Sequence, residues 1–302
     1  MMNQKRALIT GINGFTGKYV SSALKNSGYA VYGTGAVAAD FSGYFQVDLQ
    51  DKQRLAHVVA EIQPSVVVHL AAIAFVGHGE ASDFYQVNLI GTRNLLEALA
   101  LHAVNLDSVL LVSSANVYGN AAEGILAENT PPNPANDYAV SKLAMEYMAK
   151  LWIDKLPLFI VRPFNYTGVG QTEDFLLPKI VAHFRRRAPF IELGNLDVWR
   201  DFSDVRTVSA IYKQLLAVKP LGQLINVCSG TTHSLREVLA MAANITGHKI
   251  EVRVNPAFVR ANEVKTLCGD ATRLRSLIGD FESPTLEDTL RWMLEAPEAK
   301  HD

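Results

Sequence analysis

The chain has 302 residues, enough for two domains and for a core that needs no disulfide staples. Apolar residues make up 49% and charged residues 19%, which excludes intrinsic disorder, and a net charge of -2 argues against a nucleic-acid partner held through its phosphates. Two cysteines, Cys228 and Cys268, exclude a disulfide framework and suit a reducing compartment.

The first half alternates strand and helix signals. A short strand over residues 5–10 closes at Gly11, and a helical period over 15–27 ends at Gly28. A strand over 29–34 precedes a helix over 51–62 that Pro64 stops. An apolar strand over 66–70 precedes an amphipathic helix over 82–102, with Ser82 as its expected N-cap. A strand over 109–112, a helix over 137–153 and a strand over 158–161 follow, the last stopping before Pro163. Continuous Val/Ile/Leu strands between helices predict a parallel sheet covered on both faces, a doubly wound α/β fold with a ligand crevice at the carboxyl ends of its strands.

Beyond Pro163 the regularity breaks. Helical patterns over 174–186, 205–218, 234–246 and 286–294 mix with short strand signals. The expected division is a dinucleotide-binding domain over 1–163 and a smaller, irregular α/β substrate domain over 164–302, with the chain free to cross back between them. The run Arg185-Arg186-Arg187 is read as a solvated helix end. No stretch reaches the ~18 apolar residues of a membrane span, and the opening MMNQKRALITG lacks the apolar length of a secretory signal. A cytoplasmic protein with no membrane partner is expected.

The strand that ends at Thr10 runs into Gly11-Ile-Asn13-Gly14-Phe15-Thr16-Gly17. Between a strand and a helix this spacing reads as a dinucleotide site. Gly11 permits the turn, Gly14 admits the pyrophosphate, Gly17 lets the helix pack on the strand, and the helix N-terminus faces the negative charge. The second strand ends Tyr32-Gly33-Thr34-Gly35, with neither an acid to repel a 2′-phosphate nor an arginine to attract one. The choice leans to NADPH with NADH tolerated. Asp48 and Leu49 suit the adenine edge, and an N-cap role for Asp48 stays open.

Tyr138 and Lys142 stand four residues apart in a predicted helix, on one face. A phenol titrates near ~10, too high for proton transfer at neutral pH, and a neighbouring ammonium is expected to lower it. Ser114, at the carboxyl end of the 109–112 strand, would face the tyrosine and donate to a carbonyl oxygen as charge develops.

These segments, with His69-Leu70-Ala71-Ala72, Asn88-Leu-Ile-Gly-Thr92, Val117-Tyr-Gly119 and Arg162-Pro163-Phe-Asn165, resemble the extended short-chain dehydrogenases, the NAD(P)-dependent nucleotide-sugar epimerases, dehydratases and reductases. The resemblance covers essentially the whole chain. It implies a Rossmann fold, Ser114, Tyr138 and Lys142 as the catalytic three, and Lys142 on the nicotinamide ribose. Asn88, Leu70, Ala71, Ala72 and Pro163 would line the cofactor channel, although Asn88 could equally cap helix backbone. His69 is read as a core histidine, Ser113 as a core hydroxyl satisfied by backbone, and Tyr118 as a packing residue of the site wall. A homodimer is implied, through a bundle of helices 84–100 and 137–150 from each subunit. Met145 and Met148 fit either that face or the core.

Within the family a 4,6-dehydratase needs a carboxylate pair beside the serine, where this chain has Ala115 and Asn116. A 3,5-epimerising reductase needs a further acid and base, often Cys and His, and both cysteines lie far along the chain. A 4-keto reductase or a 4-epimerase remains. The segment Phe258-Val-Arg260-Ala261-Asn-Glu263-Val264 resembles a stretch of the GDP-mannose branch, with Ala261 in place of proline. It implies reduction of a GDP-linked 4-keto-6-deoxy sugar by NADPH or NADH, giving GDP-D-rhamnose. Asn116, Asn165, Lys179, Arg200, Arg260 and Glu263 are the substrate candidates beside Ser114. A 4-epimerase holding NAD tightly is the alternative reading, and a non-catalytic cofactor-binding relative the second.

Overall fold

The computed structural model describes residues 4–75, 80–119, 124–258 and 265–297. A seven-stranded parallel sheet forms its centre. The strands are β1 (Arg6–Thr10), β2 (Ala30–Gly35), β3 (Tyr44–Gln46), β4 (Val66–His69), β5 (Ser108–Val112), β7 (Leu158–Pro163) and β11 (Leu224–Val227), in the order β11-β7-β5-β4-β1-β2-β3. The order reverses between β1 and β4, the switch point at which such sheets open a crevice.

Period-two alternation splits each strand between two cores. Ala7, Ile9, Val66, Val68, Leu110, Val112, Phe159 and Val161 face one, packed by Val20 and Leu24 of α1 (Phe15–Lys25) and by Ile211, Tyr212 and Leu215 of α7 (Val205–Val218). Leu8, Val67, Val109, Leu111, Leu158 and Ile160 face the other. There α2 (Lys52–Ile62), α4 (Thr92–His102) and α5 (Asp137–Lys150) supply Leu55, Leu95, Leu99, Met145 and Ala149. Burying one such aliphatic side chain stabilises the fold by about 1.5–3 kcal/mol, so two full faces secure the sheet.

Several boundaries differ from the sequence reading. Pro163 is the last residue of β7, opposite Val227 of the edge strand β11, so the strand runs two residues past its expected end. The helix expected over 82–102 starts earlier and is broken in two. A short turn α3 (Ala81–Phe84) starts after Glu80 without a side-chain cap and takes in Ser82, and a π-helical segment (Tyr85–Gly91) carries the chain into α4. Asp51, not Asp48, caps α2, accepting from the Arg54 amide at 2.9 Å. Asp48 instead accepts from the Gln50 amide in the preceding turn.

The second sheet runs β12 (Thr232–Ser234), β10 (Trp199–Asp204), β14 (Thr266–Gly269), β6 (Gly124–Leu126), with β8 (Asn165–Thr167) also on β10. A two-stranded piece pairs β9 (Phe190–Leu193) with β13 (Glu251–Val254). Helices α6 (Leu176–Arg185), α8 (Leu235–Thr246) and α10 (Leu286–Glu295) close a separate core around Leu177, Val238 and Leu290. The two halves interleave. Residues 124–126 leave the first half for the second sheet, whereas α7, β11 and α9 (Thr272–Ile278) return to the first. Among the described residues no helix is long and apolar enough to cross a membrane.

Candidate active site

The turn after β1 is shaped for an extended anion. Gly11 has φ +70°, and a Cβ there would stand 2.9 Å from the Ala71 backbone. A Cβ on Gly17 would stand 2.5 Å from the Ile12 carbonyl oxygen. The first-turn amides of α1 have no intrahelical acceptor, and neither a capping side chain nor an acidic residue serves them. Asn13 and Gly14 are exposed at this mouth. The residues therefore fit a dinucleotide pyrophosphate, which would rest on the amides of Phe15, Thr16 and Gly17. The Thr16 hydroxyl is paired with the Tyr166 hydroxyl at 2.8 Å, and the Phe15 ring stacks on Tyr166 at 6.1 Å, so β8 abuts the cradle.

The floor beside it is the segment Leu70-Ala71-Ala72, half-buried and tied back to β1 where the Ala71 amide donates to the Thr10 hydroxyl. Asn88 lies in the π-helical segment. Its Oδ1 accepts from the Ile73 amide at 2.9 Å, and its Nδ2 donates to the Ile73 carbonyl and the Ser141 hydroxyl. Asn88 thus ties the loop after β4 to α5, and the widened turn that aims it there follows the habit of π-bulges at functional sites. His69 is fully buried between the hydroxyls of Thr10 and Thr92, and burial, with the Lys142 charge nearby, pushes its pKa down to about 3. It is a neutral core histidine. Leu49 is buried, and Asp48 lies exposed beside it.

The carboxyl end of β5 meets α5, which Asn136 caps by accepting from the Ala139 amide. The Ser114 hydroxyl accepts from the Asn116 amide at 3.1 Å and lies beside the Tyr138 phenol, whose pKa it lowers. Lys142 donates to the Val112 carbonyl at 2.8 Å. The sequence reading expected the lysine to lower the phenol's pKa. Burial instead pushes it up to about 12, Ser114 opposing and Tyr166 adding to the rise. Burial pushes Lys142 down to about 8 against the pull of Glu146. Desolvation dominates the phenol, so Tyr138 stays protonated at neutral pH, the state a proton donor requires.

Ser113 also differs from expectation. Its hydroxyl donates not to backbone but to Glu146, whose carboxylate accepts both Nε and a terminal nitrogen of Arg162. The guanidinium lies 4.6 Å from the Tyr118 ring centroid, and the Tyr118 hydroxyl donates to Asn226. Sequence reasoning overlooked Glu146, whose signal was its second step of four residues from Tyr138, and Tyr166, which sits next to the singled-out Asn165. Met145 is fully buried in the sheet core, and Met148 packs half-buried against it.

Of the described substrate candidates, Asn165 and Arg200 lie on the second sheet, Lys179 on α6 and Asn116 just after β5. Asn116 is exposed beside Ser114, and exposed Asn165 donates to the Asp201 carbonyl at 3.3 Å. Lys179 donates to the Glu192 carbonyl at 2.9 Å and lies over the Phe258 ring. Arg200 donates to the Trp199 carbonyl. Pro163 is buried at the end of β7. Arg260 and Glu263 lie outside the described residues.

Comparison with known proteins gives three sets of findings. The family described as GDP-mannose 4,6 dehydratase matches residues 8–293. The GDP-6-deoxy-D-talose 4-dehydrogenase of Aggregatibacter actinomycetemcomitans is 33% identical over 91% of this chain and 92% of its own. The GDP-6-deoxy-D-mannose reductase of Pseudomonas aeruginosa is 33% identical over 96% of each. The structure of RMD from Pseudomonas aeruginosa with NADPH superposes at a TM-score of 0.84 and 31% identity, covering 97% of this chain and 98% of that one. A Burkholderia cenocepacia J2315 crystal structure, provisionally described as an epimerase, superposes at 0.91 and 51% identity, covering 96% and 97%.

Proposed function

The chain belongs to the GDP-mannose 4,6 dehydratase family of extended short-chain dehydrogenases, and from that premise we propose that it reduces the 4-keto group of a GDP-linked 4-keto-6-deoxy sugar with NADPH or NADH, giving GDP-D-rhamnose. The observation that carries this reading is the chemistry around Ser114. Ala115 and Asn116 do not titrate, and the buried carboxylate nearby, Glu146, is occupied by Arg162 and Ser113. Elimination of water needs a free acid and base there. Delivery of one proton needs only Tyr138.

NAD(P)H, when bound along Gly11–Gly17, supplies the hydride that reduces C4. Tyr138 gives its phenolic proton to the C4 oxygen. The Ser114 hydroxyl, beside the phenol, moves to donate to that oxygen as charge gathers on it. Lys142 holds its charge behind the phenol and stabilises the phenolate left after transfer. Asn165 and Arg200 of the second sheet and Lys179 of α6, with Arg260 and Glu263, hold the nucleotide diphosphate and sugar.

The test is oxidation of NADPH and of NADH with GDP-4-keto-6-deoxymannose, against UDP- and dTDP-linked analogues. A clear preference for the GDP sugar is expected, and no oxidation with it overturns the reading. Talose and mannose differ in configuration at C4, so the proton spectrum of the product distinguishes GDP-D-rhamnose from the 6-deoxytalose isomer.

The likeness at 51% identity to a protein provisionally described as an epimerase favours a second reading, a nucleotide-sugar 4-epimerase. That reading requires oxidised NAD to copurify with the protein, and the reductase reading requires that it does not. The enzyme works in the cytoplasm as a homodimer. Exposed Leu101, Tyr147 and Leu151 on the outer side of α4 and α5 support the dimer, and light scattering tests it.

A further inference from the structure

Three consecutive residues at the end of β5 each meet one residue of α5. The Val112 carbonyl accepts from Lys142, the Ser113 hydroxyl donates to Glu146 at 2.5 Å, and the Ser114 hydroxyl stands beside the Tyr138 phenol. Tyr138, Lys142 and Glu146 follow one another at four-residue spacing, which makes a single stripe on the helix. The first two are the proton-transfer groups of the proposed function. The third has no part in it, yet it is the most elaborately held: 3% exposed, gripped on both oxygens by Arg162 at 2.8 and 2.6 Å, and capped by Ser113.

A buried ion pair of this kind adds little to stability, because desolvation offsets its attraction, and apolar side chains of like volume would hold helix to sheet as well. What apolar packing cannot supply is a negative charge one turn from Lys142 and a directed bond to the residue beside Ser114. We infer that Glu146 is a positioning residue for proton transfer, its carboxylate set against Lys142 and locking the Ser113–Ser114 strand end opposite Tyr138, without itself touching substrate or cofactor. The inference rests on the reading of Tyr138, Lys142 and Ser114 as the proton-transfer groups.

The surroundings fix what a pH experiment reads. Lys142 feels the charge of Glu146 from its own helix and stands near the neutral His69 of β4, with Tyr138 one turn before it on the same face. Arg162 from β7 stands behind Glu146, with Tyr118 against the guanidinium. Asp137, at the start of α5, is bonded to Tyr85 of the π-helical segment. Glu146 is the one of these that raises the proton affinity of the lysine.

Glu146→Gln keeps the shape and removes the charge. It is expected to lower kcat about tenfold with KM for both substrates within about threefold. The basic limb of the kcat–pH profile is expected to move down by about one pH unit. The ¹⁵Nζ signal of Lys142 in lysine-labelled protein, with no substrate present, should titrate at the same lowered pH. An unchanged Nζ titration, or a kcat within about twofold of the parent, overturns the inference. Should this variant fail to fold because Arg162 is left uncompensated, Ser113→Ala decides, since it leaves the ion pair whole. It is expected to lower kcat about threefold to tenfold, and a value within about twofold of the parent overturns the inference. An unmodified protein that does not turn over the GDP sugar overturns the proposed function instead, and the Nζ titration still reads the role of Glu146.

Discussion

The carboxyl end of the large sheet and the second sheet hold their polar side chains in different ways. At the end of β5 the groups hold one another: Ser114 beside Tyr138, Ser113 on Glu146, Glu146 on Arg162, with Lys142 on the strand carbonyl. On the second sheet and the neighbouring α6 the candidate binding groups rest on backbone carbonyls, Arg200 on Trp199, Asn165 on Asp201 and Lys179 on Glu192, from half-buried or exposed positions. Its buried carboxylates are fully engaged: Asp201 accepts the amides of Ser229, Gly230 and Gly269, and Asp204 accepts from Arg206 and the Thr289 hydroxyl. Asp201 holds the frame and is not exposed to a ligand. Under the proposed function, the reacting end would be organised before substrate arrives, and the recognising end would keep weaker bonds that a diphosphate can replace.

The sharpest way to break this contrast is Tyr138→Phe. Loss of the proton donor is expected to lower kcat about a thousandfold, with cofactor affinity by fluorescence titration nearly unchanged. Near-normal turnover removes Tyr138 from the chemistry. Next is Gly17→Ala, which drives a methyl toward the Ile12 and Gly11 carbonyl oxygens at 2.5 and 2.6 Å. Roughly 2–4 kcal/mol of stability should be lost in urea unfolding, because backbone cannot yield as a side chain does.

His69 gives the third. Its pKa is about 3 in the folded protein, against 6.5 ordinarily, so as pH falls the unfolded chain takes the proton first. The stability from this group is complete above 6.5 and is lost toward 3, roughly 2 kcal/mol of it by pH 5. Urea midpoints at pH 7 and pH 5 should differ accordingly, and His69→Asn should flatten that dependence. The smallest effect is expected from Lys179→Ala, with KM for the nucleotide sugar up about fivefold and kcat unchanged. A fall in kcat instead would place Lys179 among the preorganised groups and erase the contrast.

What could be read from the amino acids followed the range of the forces involved. Strand β4, Val66-Val67-Val68, is apolar on both faces, so its burial in a parallel sheet was legible from the residues alone. The glycine turn, Ser114 and the Tyr138/Lys142 stripe were legible for the same reason, each being a local pattern. The role of Ser113 was not. Its partner Glu146 is 33 residues away, and what makes that carboxylate tolerable in the interior is Arg162, from another strand. The π-helical segment was hidden because Tyr85–Gly91 has the composition of an ordinary helix. Only the reach of Asn88 to Ile73 marks the widened turn. The direction of the Tyr138 shift was missed because spacing reveals the neighbouring charge but not the burial that dominates the phenol.

The place of β11 bears on how the protein is made. β7 is finished at Pro163, but its outer neighbour is Leu224–Val227, after an excursion through β8, β9 and β10. A ribosome adding ~5–20 residues each second needs several seconds to cover that gap. Through that interval a nascent chain presents a long hydrophobic strand with one row of amides and carbonyls open to any other polypeptide. Yield on overexpression should therefore respond to chaperone supply and growth temperature more than to the stability of the finished enzyme.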